Sequence, residues 1–341
     1  MTDSPVATTK ASTDSAPPRA IYLAPDGKIH KDLSPTDINR VVLSGEGKLW
    51  LDLDVTCRPH VAILEHVCKF HPLTIEDTLN PNSRVKLEEF PGYLFMIIRG
   101  VRFYETTDDP YDLETFNLCF YLGKSFLVTV HAGPSSAVEV VAERVGRNPD
   151  LLGRGVDRIA HSVMDAAVDA YFPLLDQIDL FVDSLEQRVF ENFDQDALRD
   201  IFAVKRTVLS LRRHLAPQRE VFNTLSNRPS TLLSPESQLY FRDIHDHVLR
   251  INDSLETYRD LLGSTLDSYL TQVSNRLGKA TKGLSVFATV TLPFVIISGM
   301  WGMNFDLIPL AHHPHGFWIL VGVQLAVGLT LLGILRMKRL L

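Results

Sequence analysis

With 341 residues, 22% of them charged and 45% hydrophobic, the chain can hold two ordinary domains and still carry apolar material beyond their cores. A formal net charge of −7, with no basic run long enough to track phosphates outside its C-terminal end, argues against nucleic acid as a partner and suits cations better. Cys57, Cys68 and Cys119 form no CxxC pair and no ligand-spaced set, so they read as reduced packing residues.

Residues 1–19 are rich in Ser, Thr, Pro and Ala and lack the apolar stretch of a signal peptide, which predicts a disordered tail and a cytoplasmic domain after it. In residues 20–134, strand-like runs (Ile21–Leu23, Lys48–Leu53, Tyr93–Tyr104, Glu114–Leu122, Ser125–His131) alternate with helical runs (Pro59–Phe70, Leu73–Asn80), predicting a cytoplasmic α/β or α+β domain. No Gly-rich phosphate loop follows a strand, and Gly153-Arg154-Gly155 lacks the third glycine of a dinucleotide fingerprint. Residues 135–235 predict helices alone, over Ser135–Gly146, Val156–Asn192 and Gln195–Leu225.

Ser234 is a plausible N-cap for a helix that meets no proline until Pro293. From Glu236 to Trp301 it spans on the order of 100 Å, of which only the last third fits a bilayer. Residues 236–282 are therefore expected as a cytoplasmic stalk and 283–302 as a first transmembrane helix, Gly283–Trp301 being free of charge. Residues 303–316 form an outer loop, residues 317–335 a second charge-free span, and 336–341 a basic tail. Arg276, Lys279, Lys282, Arg336, Lys338 and Arg339 flank the hairpin, whereas its loop has no Lys or Arg, so both termini are expected in the cytoplasm of an inner-membrane protein in contact with lipid. Along the long helix, Asp246, Asp253, Asp260 and Asp267 stand at heptad spacing, and the register continues through Ser274, Thr281, Ala288, Val295 and Gly302. Such a stripe is either a solvated charged face or, with symmetry-related copies, a set of oxygen rings around an ion path.

Trp301-Gly302-Met303-Asn304-Phe305, placed between two C-terminal spans after a long helix, resembles the CorA magnesium transporters. His71-Pro72-Leu73 with Glu76-Asp77, Asp169-Ala170-Tyr171-Phe172, Phe241-Arg242-Asp243 with Asp246-His247, and Asp267 through Ser274-Asn275 extend the resemblance over most of the chain. It implies a funnel-shaped homopentamer, an α+β cytoplasmic domain followed by a long-helix stalk and a two-helix transmembrane hairpin. The first spans would line the pore and the second would form an outer ring. Asn304 and the Gly302 carbonyl, beside Met303, would bind hydrated Mg²⁺ at the outer mouth, which suits an ion that dehydrates reluctantly. Pore positions carried over by spacing fall on Asp267, Leu270, Ser274, Gly278, Thr281, Leu284, Ala288, Leu292, Val295 and Gly299, with Leu284 and Leu292 as apolar constrictions.

The resemblance also places regulatory Mg²⁺ between subunits, at Asp77 and Asp243 with Glu76, Asp246 and His247 nearby. Asp243, Asp246 and His247 share one helical face at i, i+3 and i+4. Gly278 departs from the family's usual polar pore residue, and Leu307-Ile308-Pro309-Leu310 lacks the acid that often follows the proline. His312, His313 and His315 leave Co²⁺, Ni²⁺ or Zn²⁺ open as cargo. A membrane-tethered sensor or enzyme is the alternative of another class. The soluble part offers it no nucleophile–base pair, phosphate loop or closed ligand set, so the chain reads as a non-enzyme whose Mg²⁺ is both transported and regulatory.

Overall fold

The computed structural model describes residues 17–31, 33–103, 113–192, 196–228, 230–303, 309–310 and 313–338. The chain divides into two compact units, residues 1–186 with 198–263, and residues 187–197 with 264–341.

In the first unit, β1 (Arg19–Leu23), β2 (Ile29–Lys31), β3 (Lys48–Asp54), β4 (Lys86–Phe90), β5 (Tyr93–Phe103), β6 (Leu113–Gly123) and β7 (Phe126–His131) form one sheet in the order β2-β1-β3-β7-β6-β5-β4. The β3–β7 pair is parallel and the other pairings are antiparallel. Helix α1 (Pro35–Ser44), α2 (Arg58–Ala62) with a π-helical continuation Ile63–Cys68, and α3 (Pro72–Leu79) lie on one face. Period-two alternation explains that face: Leu49, Leu51 and Leu53 of β3 join Phe95, Ile97 and Tyr121 in a core with Ile38, Val41, Leu64 and Ile75 of the helices. The first helix starts where Ser34 accepts from the Asp37 N–H at 3.2 Å and ends where Gly45 takes φ +69°.

The other face is covered by α5 (Asp150–Gly153) and α6 (Val156–Asp169), with α4 (Ser136–Arg147) packed on α6. Trp50 is buried there, its indole donating to Thr129 Oγ1 at 3.2 Å. Further on come α7 (Phe172–Gln187), α8 (Ala197–Leu215), α9 (Gln218–Asn227) and α10 (Pro235–Trp301). The expected continuous helices over Val156–Asn192 and Gln195–Leu225 are each broken. Pro173 and Pro217 cannot donate the helical bond that would carry the chain through, and at the first break Tyr171 turns inward to donate to the Arg99 carbonyl at 3.0 Å. Helix α1 and the short strands β2 and β4 had no counterpart in the sequence reading. Strands β1, β3, β5, β6 and β7, and the 67-residue α10, agree with it to within a few residues.

Within the first unit, α10 buries Phe241, Ile244, Val248, Ile251, Leu255, Tyr258 and Leu262, a 3,4 repeat that explains why so long a helix is stable there. Its opposite face carries Asp246, Asp253 and Asp260, all exposed, and Asp260 pairs with Arg259 at 2.7 Å. The start of α10 is fixed by Asp157. Burial pushes this carboxyl up, but hydrogen bonds from Ser234 and Ser237 outweigh burial and hold it below the ordinary range.

The second unit contains the C-terminal part of α10 and α11 (Gly316–Met337), both long and apolar enough to cross a membrane. Gln324 donates to Ser298 Oγ at 2.7 Å, and Gly328 lies so close to the Phe294 ring that a Cβ there would fall 2.7 Å from it. At the turn, Trp301 Nε1 donates to the Pro309 carbonyl at 3.0 Å, and Gly302 N–H continues the helical ladder to Ser298 O. Gly316 has no room for a Cβ against the Leu310 carbonyl, which explains a glycine at the entry to α11.

Candidate metal-transport site

Two groups of residues carry the chemistry, one in each unit. In the first, α6 presents Asp165 and Asp169 one turn apart toward His247 of α10, and one ligand atom from each lies within 4.8 Å of the others. His247 Nδ1 is 3.3 Å from Asp169 Oδ1, in ion-pair range but without the alignment of a hydrogen bond, and His247 Nε2 is 4.0 Å from Asp243 Oδ2. The carboxyl of Asp165 is raised above the ordinary range, first by burial and next by the Asp169 charge, with Asp243 adding and His247 opposing. A carboxylate raised in this way by its surroundings, next to a second carboxylate and an imidazole, makes a hard-oxygen site with one nitrogen donor.

Of the five residues expected to hold regulatory metal, the structure brings Asp243 and His247 together. Asp246, exposed on the same helix, lies 3.7 Å from His245 Nδ1. Asp77, by contrast, accepts from Lys86 Nζ at 2.6 Å and from Ser83 Oγ at 3.2 Å, and Glu76 is exposed beside it. Within the single chain, Asp77 and Asp243 join no common cluster among the described residues. Asp165 and Asp169 had no assigned role in the sequence reading. Their i, i+4 spacing on one helix face was the available signal, but nothing in the linear pattern pairs that face with His247.

In the second unit, every position expected to line a pore is exposed: Asp267, Leu270, Ser274, Gly278, Thr281, Leu284, Ala288, Leu292, Val295 and Gly299, followed by Gly302 and Met303. The residues of α10 that meet α11 are different ones, Phe294 and Ser298. Asn304 and His312 lie outside the described residues. His313 and His315 are described, exposed, with ring centroids 6.1 Å apart.

An α/β unit bearing an acid and histidine cluster, together with a C-terminal apolar hairpin whose first helix ends at Trp301, just before Gly302-Met303, defines a membrane protein that handles divalent cations. Residues 45–339 match the family model described as CorA-like Mg²⁺ transporter protein, and the chain belongs to that family. It is 30% identical over 303 residues to YfjQ of Bacillus subtilis, covering 89% of this chain and 93% of that one. With the cobalt/magnesium transport protein CorA of Thermotoga maritima it shares 29% identity over 313 residues, 91% of this chain and 88% of the relative. The complete structure of the CorA magnesium transporter from Methanocaldococcus jannaschii superposes with a TM-score of 0.81 at 19% identity, covering 94% of this chain and 98% of that one. The fold is thus that of a full-length CorA chain.

Proposed function

We propose that this divalent-cation transporter takes up Mg²⁺ as a homopentamer in the inner membrane, both termini in the cytoplasm, with the C-terminal part of α10 lining the path. The observation that carries this reading is the row of positions from Asp267 to Gly299 at 3,4 spacing on α10, which like most of that stretch is left uncovered, whereas Phe294 and Ser298 contact α11. An exposed row of small, hydroxyl and apolar side chains on a membrane helix needs a partner, and symmetric copies of the same helix supply one around a central axis. The inside-negative potential drives entry, worth about 2.3 kcal/mol per charge per 100 mV and twice that for a divalent ion. Co²⁺ is a second cargo, supported by the likeness to the Thermotoga cobalt/magnesium transport protein.

Regulation is assigned to the acids of the first unit. Mg²⁺ bound by Asp243 and His247 with Asp165 and Asp169, and by Asp77 with Glu76 and Asp246 at subunit boundaries, cancels carboxylate repulsion and favours the closed state by its differential affinity. The test is flux of Mg²⁺, Co²⁺, Ni²⁺ and Zn²⁺ into liposomes holding the purified protein, with subunit number read by native mass spectrometry. Potential-dependent Mg²⁺ entry through a five-chain particle supports the reading, and a particle of fewer chains, or no Mg²⁺ entry, sinks it.

A further inference from the structure

A cavity of about 220 Å³ lies in the first unit among α4, α5, α6 and the first turns of α10. Arg144, Arg154, Arg158, His161, Ser162 and Tyr240 contribute its polar wall, and no acidic side chain lines it. Arg158 stacks on the Tyr240 ring, its guanidinium carbon 3.6 Å from the centroid, which holds the group in place without neutralising it. Arg158 Nη1 and His161 Nε2 are both buried and have no hydrogen-bond partner. Buried orphan polar atoms beside a polar cavity favour a polar occupant, water or ligand, because leaving them unpaired costs what a hydrogen bond would supply. Arg147, on the same helix as Arg144, pairs with Glu143, but Arg144, Arg154 and Arg158 have no carboxylate within ion-pair range among the described residues, although the Arg144 charge is felt by Asp165.

Three guanidiniums around a small chamber match an ion with several oxygens and more than one negative charge, since each fork can give two N–H donors to neighbouring oxygens. We infer that this cavity binds the phosphate group of a small anionic compound, held by Arg144, Arg154 and Arg158. His161 adds no fourth charge: burial, helped by the Arg158 charge and only partly opposed by the Tyr240 carbonyl and the Asp243 charge, holds its pKa down to about 4. As a neutral imidazole it can offer its unpaired Nε2 to a bound oxygen as donor or to a P–OH proton as acceptor, according to the tautomer. Ser162, whose hydroxyl donates to the Arg158 backbone carbonyl one turn back at 2.9 Å, keeps its oxygen lone pairs for the cavity. The cavity stands one helical turn from the metal cluster on both supporting helices, Ser162 near Asp165 on α6 and Tyr240 near Asp243 on α10. The binding claim stands apart from the transport reading, because it requires no metal.

The experiment is isothermal titration of the full-length protein in phosphatidylcholine nanodiscs, in divalent-free buffer with chelator, using inorganic pyrophosphate as the probe. Saturable binding is expected with one site per chain. Arg154→Gln and Arg158→Gln should each weaken it by about tenfold or more, the loss of a charge-assisted pair. Arg147→Gln, outside the cavity, should leave it unchanged. Arg154 is exposed, so its variant stays informative if Arg158→Gln unfolds through loss of the Tyr240 stack. Nanodiscs containing phosphatidic acid identify the source: unchanged pyrophosphate affinity assigns a soluble compound, and competition assigns a lipid headgroup. Absence of saturable binding by the wild-type protein, or wild-type affinity in the Arg154 variant, overturns the assignment and leaves the cavity to water.

Discussion

His247 of α10 and Asp169 of α6 face each other with Nδ1 and Oδ1 3.3 Å apart, and Asp165 stands one turn back along α6 with its carboxyl raised by burial and by the Asp169 charge. In the absence of metal this carboxylate is the strained member. Its charged form costs the folded state stability above the raised pKa, and the cost disappears as pH falls through that value. Mg²⁺ needs the charged form, so protons compete with it. Lowering the pH from neutral toward about 5 should raise the Mg²⁺ concentration that protects the first unit from protease. Asp165→Asn should raise the concentration required at neutral pH by about tenfold, while stabilising the metal-free protein. A protection midpoint that ignores both pH and this substitution would remove Asp165 from the site.

For Asn304→Ala we expect loss of Mg²⁺ flux from a protein that still inserts, because in the proposed pore this side chain would supply acceptors for the ion's water shell. Liposome flux normalised to inserted protein is the measurement. Were Asn304 only a cap on α10, yield would fall and flux per inserted particle would be retained.

Leu292 is 59% exposed on the face of α10 turned away from Phe294 and Ser298. Replacing it by Ser should ease wetting of an apolar constriction and raise Mg²⁺ leak severalfold at inhibitory internal Mg²⁺. Unchanged flux would place Leu292 against lipid.

The pair Asp77→Asn with Asp243→Asn should weaken inhibition by internal Mg²⁺ and abolish protease protection, with ion selectivity unaltered. In the single chain Asp77 is held by Lys86, whose own pKa is raised because its bonds to Asp77 and Glu88 outweigh burial. Any role for Asp77 at a subunit boundary therefore begins with breaking a partly exposed ion pair, worth no more than about 1 kcal/mol. Inhibition persisting at the wild-type Mg²⁺ concentration would show that these acids are not the sensor.

The parts legible in the sequence are those governed by long periodicity. Nineteen charge-free residues, twice, gave the hairpin, and the run from Glu236 that meets no proline until Pro293 gave α10. Short elements were harder to read. Three residues in β2 show no alternation, and Lys86-Leu87-Glu88-Glu89-Phe90 reads as a charged loop because β4 is an edge strand with one neighbour. The Asp165–Asp169–His247 cluster was invisible for another reason: α6 and α10 are separated by more than sixty residues, and their mutual facing is set by Asp157 accepting from Ser234.

The Gln324–Ser298 bond and the seating of Gly328 under Phe294 bear on how the protein is made. An amide in hydrocarbon has no water to fall back on, so once the second span is inserted its best partner is the hydroxyl on the first, a contact worth about 1 kcal/mol that small-residue packing reinforces. The contact therefore joins the two spans within one chain and decides which face of each is turned toward the other, leaving the remaining faces for whatever surrounds the pair.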